Sequence, residues 1–347
     1  MGNVWEPTQT WAFVVGLLEW QRDDIYTAFP QTQRRDAQLV KLLAERGVPK
    51  GQICYLQDRQ ATTAAITARM AEHLEAAPAG STLILYYCGH GGMGDHDQVF
   101  FASYDADDSD NPGWPVSAIP DAVEAHFPGS QAILLADCCH SGRLADAVAA
   151  RKRRVAYASL GSSLASELST GNWTFTEALL AALRGDAYTD RDGSATITLA
   201  ELAEHIQAEL AFAEEQVATF ATSSGFDARL VLGPAKPRRD PQIGRQVVVK
   251  SDDAWYAAQV IDVRKGELKL RYYGYDSSDD TWVSADEVRT IGRPHYPVGA
   301  TVEVQWKNRW YLASVLDERA GVHQIAYEGY GPEFNEWVSS KRIRPLL

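Results

Sequence analysis

Short apolar runs punctuate the first two-thirds of the chain: Trp11–Leu18, Gln52–Leu56, Thr82–Cys88, Gln131–Ala136, Val155–Ser159 and Ala228–Leu232. Most lack polar alternation, the pattern of strands covered on both faces of a mostly parallel sheet. Between them, apolar residues recur at helical spacing: Leu39, Leu42 and Leu43; Ile66, Met70 and Leu74; Leu179, Leu180 and Leu183; Leu199, Leu202, Ile206 and Leu210. The alternation predicts an αβα sandwich. Reactive residues should then lie on loops at the carboxyl ends of the strands.

The pattern changes after a proline-rich, polar stretch at 234–242, the best boundary on the chain. Short alternating runs now follow one another between Asp, Ser and Gly turns. Shifting the sequence by 55 residues superimposes Val247 on Val302, Val249 on Val304, Trp255-Tyr256 on Trp310-Tyr311, and Tyr272 on Tyr327. Gly274-Tyr275 then matches Gly329-Tyr330, and Trp282-Val283-Ser284 matches Trp337-Val338-Ser339. An ungapped repeat of this kind predicts two small β-barrels, at 243–292 and 298–347, behind an α/β domain at 1–233.

Composition narrows the partners. The net charge is −13, and residues 240–347 carry 14 basic against 16 acidic side chains. No dense basic stripe is present, so nucleic acid is not an expected partner. The run at Trp11–Leu18 is too short to span a bilayer and has no basic flank or cleavage site, so neither a membrane nor a signal peptide is expected. Cys54, Cys88, Cys138 and Cys139 show no zinc spacing, and thiols of this kind suit a reducing cytoplasm.

Two segments carry chemistry. Leu83–Cys88 is a buried strand running into Gly89-His90-Gly91-Gly92, and Ala132–Ala136 is another running into Asp137-Cys138-Cys139-His140-Ser141-Gly142. Together they set an imidazole and a thiol at one edge of one sheet, a pair able to exchange a proton. Glycine beside His90 admits a substrate carbonyl to backbone N–H donors. Singly, each residue has a plainer use: a cysteine ending a core strand is commonly a small buried hydrophobe.

These two segments resemble the hallmark motifs of the caspase/metacaspase family, strands ending Tyr-Tyr-x-Gly-His-Gly and Asp-x-Cys-His-Ser-Gly. The resemblance spans roughly residues 11–232 and takes in Arg35-Asp36-Ala37, Ala61-Thr62 and the segment Trp173–Leu179. It implies a cysteine endopeptidase with His90 as general base and acid and Cys139 as nucleophile. The N–H groups of Gly91 and Cys139 would form the oxyanion hole, and no cofactor is required for the chemistry. Metacaspases cut after arginine or lysine using acids at the positions held here by Asp36 and Asp137, and Pro30 stands where a caspase-type arginine would be. The resemblance thus implies a protein substrate with a basic P1 residue. Relatives with this layout are associated with bacterial cell death and antiviral defence, including activation of pore-forming proteins.

Further features bear on regulation. Asp190, Asp192, Ser194, Thr196 and Glu201 follow EF-hand spacing for calcium, but Ala195 replaces the glycine of the sharp turn. Thr198-Leu-Ala-Glu201 reads equally as a capping box. A second acidic loop, Asp105–Asp110, includes a position where metacaspases place a calcium ligand. Arg151–Arg154 offers a basic self-cleavage sequence or a soluble linker. The repeats resemble Tudor/agenet barrels, whose aromatic faces gather a cation; Trp255, Tyr275 and Trp282, or Trp310, Tyr330 and Trp337, are the candidates, with core packing as the plainer use. Other readings are a catalytically inactive scaffold and a peptide or methyl-lysine reader acting through the barrels.

Overall fold

The computed structural model describes residues 3–32, 34–94, 98–107, 111–149, 154–164, 172–251, 254–290, 295–306, 308–339 and 341–346. Two compact units separate: residues 1–204 with 218–236, and residues 205–217 with 237–347. The second unit thus includes a segment that the sequence pattern had assigned to the α/β domain.

The first unit is built on a six-stranded sheet. Its strands are β1 (Thr10–Gly16), β2 (Ile53–Gln57), β3 (Thr82–Cys88), β7 (Gln131–Asp137), β8 (Ala156–Gly161) and β10 (Thr219–Thr222). Between β3 and β7 lie three short strands, β4 (Gly91–Met93), β5 (Val99–Phe101) and β6 (Trp114–Pro115), forming their own small sheet. The order across the large sheet is β10-β8-β7-β3-β1-β2. All neighbours are parallel except β10, which runs antiparallel to β8.

Helices α1 (Arg35–Glu45), α2 (Thr63–Glu75), α3 (Ala118–His126), α4 (Arg143–Ala149), α5 (Thr174–Leu183) and α6 (Leu199–Ala213) complete the alternation. Strand side chains alternate between faces. Phe13, Val15, Leu85, Tyr87, Leu134 and Ala136 bury one face together with Ile66, Met70 and Leu74 of α2 and Ile119 and Val123 of α3. On the opposite face Tyr86 meets Thr176 of α5, and α1 packs beside α5. Burial on both faces explains why the sequence shows unbroken apolar runs.

The expected strand at Ala228–Leu232 does not join this sheet. A strand at Val231–Pro234 (β11) pairs instead with β9 (Thr196–Thr198), and the sheet takes Thr219–Thr222 as its edge. That edge strand is only partly buried, so it carries no apolar run to betray it. Helices α3 and α4 also went unforeseen; each is a short element of 9 and 7 residues respectively.

In the second unit, strands β12 (Gln246–Ser251), β13 (Ala254–Arg264), β14 (Glu267–Tyr272), β15 (Thr281–Ser284) and β16 (Val288–Arg289) form one five-stranded sheet. Strands β17 (Thr301–Trp306), β18 (Arg309–Arg319), β19 (Val322–Tyr327), β20 (Glu336–Val338) and β21 (Ile343–Pro345) repeat it in the same order. Equivalent bulges at Val260/Asp262 and Val315/Asp317 shift the register of the two long strands at corresponding positions, the local bending that a bulge imposes. Inward residues repeat too: Val247, Val249, Ala258, Val260 and Leu270 in one core, and Val302, Val304, Ala313, Val315 and Ile325 in the other.

No helix among the described residues is long and apolar enough to cross a membrane. Asp105, expected in an acidic surface loop, is committed to the fold. It accepts from the backbone N–H of Thr63 at 2.8 Å and from the Ser103 hydroxyl at 2.9 Å, placing an anion at the N-terminus of α2. The neighbouring Asp108–Asp110 and the basic Arg151–Arg153 lie outside the described residues. Asp105→Ala should lower stability by about 1–2 kcal/mol, the usual cost of losing such a cap. A urea titration followed by circular dichroism checks this, and an unchanged midpoint would contradict the capping role.

Candidate functional site

The carboxyl ends of β1, β3 and β7 lie in register. Gly16 pairs with Cys88, and Cys88 with Asp137. His90 follows β3 by two residues and Cys139 follows β7 by two, so parallel alignment alone brings both motifs to one edge. Contact is direct at the backbone: a Cβ placed on Gly91 would lie 2.1 Å from the carbonyl oxygen of Cys139. The residue beside the imidazole therefore touches the residue bearing the thiol, and only glycine permits it.

His90 is held from three sides. Trp20, Phe29 and Tyr26 surround its ring at centroid distances of 4.5, 4.6 and 5.6 Å. Its Nε2 lies 2.8 Å from the carbonyl oxygen of Thr27. A carbonyl only accepts, so Nε2 carries the proton and Nδ1 keeps the lone pair in the neutral ring. Its backbone oxygen receives the Tyr87 hydroxyl at 2.7 Å and the N–H of Ala102 at 2.9 Å. Burial pushes the imidazole below its ordinary value, against a smaller upward pull from Thr27. Nothing in the motif around His90 pointed to these partners. The available signal was the clustering of Trp20, Tyr26 and Phe29 in an otherwise polar stretch.

Cys139 is partly exposed, whereas Cys138 is 2% exposed and burial drives its thiol upward. The neighbouring cysteines are thus sorted by solvent access, with Cys138 filling the core. All four cysteines are thiols. The turn after Cys139 is sharp: His140 adopts φ 58°, a left-handed conformation uncommon outside glycine, asparagine, aspartate and histidine. Hydroxyls pin this turn to the segment after β8. Ser162 Oγ accepts from the N–H of Cys138 at 3.1 Å, and Ser163 Oγ donates to the Cys138 carbonyl at 3.1 Å.

Asp36 and Asp137 both neighbour Cys88. Asp36 is fully buried and lies against Gly16, where a Cβ would meet its Oδ2 at 1.8 Å. It accepts from the Tyr55 hydroxyl at 2.7 Å and from Arg34 Nη2 at 2.8 Å. Asp137 accepts from Thr176 Oγ1 at 2.6 Å, and Thr176 in turn meets the Tyr86 hydroxyl at 2.6 Å. Burial raises the Cys88 thiol, and the charges of Asp36 and Asp137 raise it further. The two acids therefore share one electrostatic environment. Arg34 and Tyr55 were not singled out from the sequence, and Thr176 entered only within the segment Trp173–Leu179, with no role assigned.

In the acidic loop after α5, one oxygen each from Asp190, Asp192 and Glu201 lies within 4.8 Å of the others. Ala195 adopts φ 63°, so alanine itself takes the left-handed turn usually given to glycine, at a cost of about 1–2 kcal/mol. Asp190 accepts from the N–H groups of Gly193 and Ala195 at 2.8 and 3.0 Å, and Ser194 meets Thr196 at 2.9 Å between hydroxyls. The oxygen-only donor set suits calcium. Yet Glu201 Oε1 accepts from the N–H of Arg191 at 3.0 Å, Oε2 from the N–H of Thr198 at 2.9 Å, and its own N–H donates to Thr198 Oγ1 at 3.2 Å. The capping box is formed as drawn, and a cation would compete with it for both carboxylate oxygens.

The barrels group their aromatics differently from the sequence expectation. Trp255 and Trp310 lie under Arg289 and Arg344, with guanidinium carbons 4.5 and 3.8 Å from the ring centroids. Trp282 and Trp337 lie under Arg264 and Arg319 at 4.1 and 5.2 Å. These four tryptophans already carry a cation of the chain's own. The remaining candidates, Tyr275 and Tyr330, join tyrosine trios instead. Tyr256, Tyr272 and Tyr275 lie 6.1–6.2 Å apart at interplanar angles of 70–85°. Tyr311, Tyr327 and Tyr330 lie 6.0–6.3 Å apart at 69–82°. Gly274 and Gly329, with φ 80° and 79°, make the turns that fold the last tyrosine back.

Residues 299–347 match the Agenet domain family. The C-terminal region is therefore agenet- or Tudor-like, and the 55-residue repeat carries the same strand order through residues 246–289. No curated protein matches the chain. Among solved structures, the chain is similar to protein GSU0716 from Geobacter sulfurreducens, at 16% identity and a TM-score of 0.48, covering 65% of this chain and 99% of that one.

Gly91→Ala tests the contact between the two motifs. A side chain there overlaps the Cys139 backbone, so stability should fall by about 1–3 kcal/mol. The alkylation rate of Cys139 by iodoacetamide should change with it. A variant with wild-type urea midpoint and wild-type alkylation would show that the segments do not touch.

Proposed function

We propose that the α/β unit is a cysteine endopeptidase of the caspase/metacaspase type that cleaves after arginine or lysine, and that the barrels recruit its protein substrate. The reading rests above all on one arrangement. An imidazole whose proton is fixed on Nε2 by the Thr27 carbonyl stands next to the glycine that touches the Cys139 backbone.

In the proposed mechanism Nδ1 of His90 draws the proton from Cys139 Sγ, and the thiolate attacks the scissile carbonyl. The Gly91 and Cys139 N–H groups receive the negative charge of the tetrahedral intermediate. His90 then delivers its proton to the leaving amine. The resulting thioester is hydrolysed by a water activated by the same imidazole. Burial of His90 among aromatics supports the base role, because an imidazole depressed below its ordinary value is neutral at pH 7. Asp36 and Asp137, on either side of Cys88, would select a cationic P1 side chain.

A separate observation favours a cation-binding role for the barrels. Three rings set nearly at right angles bring several electron-rich faces and edges together, the chemistry that attracts a cation. In the second barrel Trp306 and Phe334 extend the trio, at 6.0 Å from Tyr311 and 5.6 Å from Tyr330, and both are exposed. The equivalent positions of the first barrel are Ser251 and Asp279. A lysine or methyl-lysine side chain on a protein partner fits the chemistry, with the second barrel as the stronger site.

Two experiments test these proposals. Wild type should hydrolyse fluorogenic peptides with P1 arginine or lysine, and Cys139→Ala should lose the activity and its labelling by a basic peptidyl chloromethyl ketone. The acid limb of kcat/KM should fall below the ordinary histidine value of about 6.5, because protonation of His90 removes the base. Preference for P1 aspartate, or equal labelling of Cys139→Ala, would sink the assignment. For the barrels, Tyr330→Ala should weaken a trimethyl-lysine peptide by about tenfold or more, in line with the loss of one cation–π wall, and Tyr275→Ala should weaken it less. Calorimetry that gives the opposite ranking would refute the inequality of the two sites.

A further inference from the structure

Arg34 stands just before α1, with φ −51° and ψ 113° outside the helical range. Its side chain turns inward and is only 9% exposed. Nη2 reaches Asp36 Oδ2 at 2.8 Å and the Gly16 carbonyl at 2.8 Å, and Nε lies 3.2 Å from both oxygens of Asp36. Nη1 pairs with Asp58, whose other oxygen accepts from the N–H of Leu18 at 2.8 Å. The Tyr55 hydroxyl completes the shell of Asp36. A fully buried carboxylate of this kind needs a cation, because isolated charge in a protein interior is strongly penalised. Here the chain supplies that cation itself.

The consequence concerns the pocket. If Asp36 and Asp137 read the P1 side chain, Asp36 already carries a guanidinium, the same group that an arginine substrate would present. Asp36, Cys88 and Asp137 are 0%, 2% and 8% exposed, so no carboxylate waits open to solvent. The segment that delivers Arg34 is also the one that carries Trp20, Thr27 and Phe29 against His90.

We propose that Arg34 fills the basic-residue pocket from within, and that a substrate cation gains Asp36 only by replacing it. The inference rests on the P1 role assigned above to Asp36. It identifies Arg34 as a residue that sets substrate affinity, and Asp58 as the anchor that holds Arg34 in place. Burial opposes the charge on Arg34, but the hydrogen bonds from Asp36 and Asp58 more than offset this and hold its guanidinium well above its ordinary value. The occupant is therefore a permanent cation, exchanged by competition and not by deprotonation.

Asp58→Asn is the informative variant. Asp58 has φ 46°, which asparagine tolerates. The amide oxygen can still accept from Leu18, while its nitrogen turns a donor toward Arg34. Arg34→Ala is the companion that removes the occupant outright. Benzamidine, a small amidinium, is the probe, with binding measured by calorimetry on the full chain. Releasing the internal competitor should tighten benzamidine by about tenfold in Asp58→Asn, as expected when the binding-competent fraction rises by that factor. KM for a P1-arginine peptide should fall by a similar factor, with kcat little changed.

The outcomes separate this inference from the protease assignment. Benzamidine affinity that is unchanged, weaker or unmeasurable in Asp58→Asn overturns the inference, whatever the peptidase assay gives; Arg34 and Asp36 would then be a fixed structural pair. Tighter benzamidine binding with no peptide hydrolysis in any form would uphold the filled pocket and remove the protease reading. Loss of folding in Arg34→Ala leaves the Asp58→Asn result decisive.

Discussion

A parallel sheet discharges every strand at the same edge, and most of what is distinctive in the first unit follows from that constraint. Gly16, Cys88 and Asp137 stand side by side because β1, β3 and β7 share one register. The loops that leave these positions have nowhere to go but over one another. The segments that carry His90 and Cys139, far apart in the chain, meet there where Gly91 approaches the Cys139 carbonyl. Closeness then creates its own demands. Glycine at 91 is the answer to a backbone contact that no side chain could share. The left-handed His140 is the answer to a strand that must turn at once into α4.

Polar groups near that edge are satisfied in separate local networks. One, of serine hydroxyls, ties the Cys138–Ser141 turn to Ser162 and Ser163. Two further groups flank Cys88, with Asp36, Tyr55, Arg34 and Asp58 bonded together on one side and Asp137, Thr176 and Tyr86 on the other. Buried polar groups that are fully paired specify a conformation sharply, and unpaired ones are costly. These partners also explain how Asp36 and Asp137 coexist in the interior: each has its own local hydrogen-bond donor.

The barrels solve a different problem. A domain of about 50 residues buries too little surface to be secure with small side chains alone. Large aromatics therefore do structural duty, and the arginines at 264, 289, 319 and 344 cover the tryptophans from outside. That pairing repeats at the same 55-residue interval as the tryptophans themselves. The tyrosines are left to form the edge-to-face trios. Divergence between repeats includes positions beside those clusters, Ser251 against Trp306 and Asp279 against Phe334, and one buried position, Leu268 against His323.

The sequence alone determined the alternation of the α/β unit, the positions of β3 and β7, the boundary region and the repeat, since each is written locally, as unbroken apolar runs, a proline-rich break and period-two alternation. It determined the candidate pair His90 and Cys139 for the same reason: both follow the strongest apolar runs. Only the tertiary structure decided which partners those residues keep. Thr27 reaches His90 across 63 positions, and Thr176 reaches Asp137 across 39. Arg34 lies two residues from Asp36, but the groups that hold it there come from elsewhere in the chain, Asp58 after β2 and the Gly16 carbonyl ending β1. The edge strand at Thr219–Thr222 was hidden because it is half exposed, and the tryptophans were misgrouped because which face of a barrel an aromatic occupies depends on a bulge and on arginines from other strands. Periodicity reports how buried a residue is; it carries no information on what buries it.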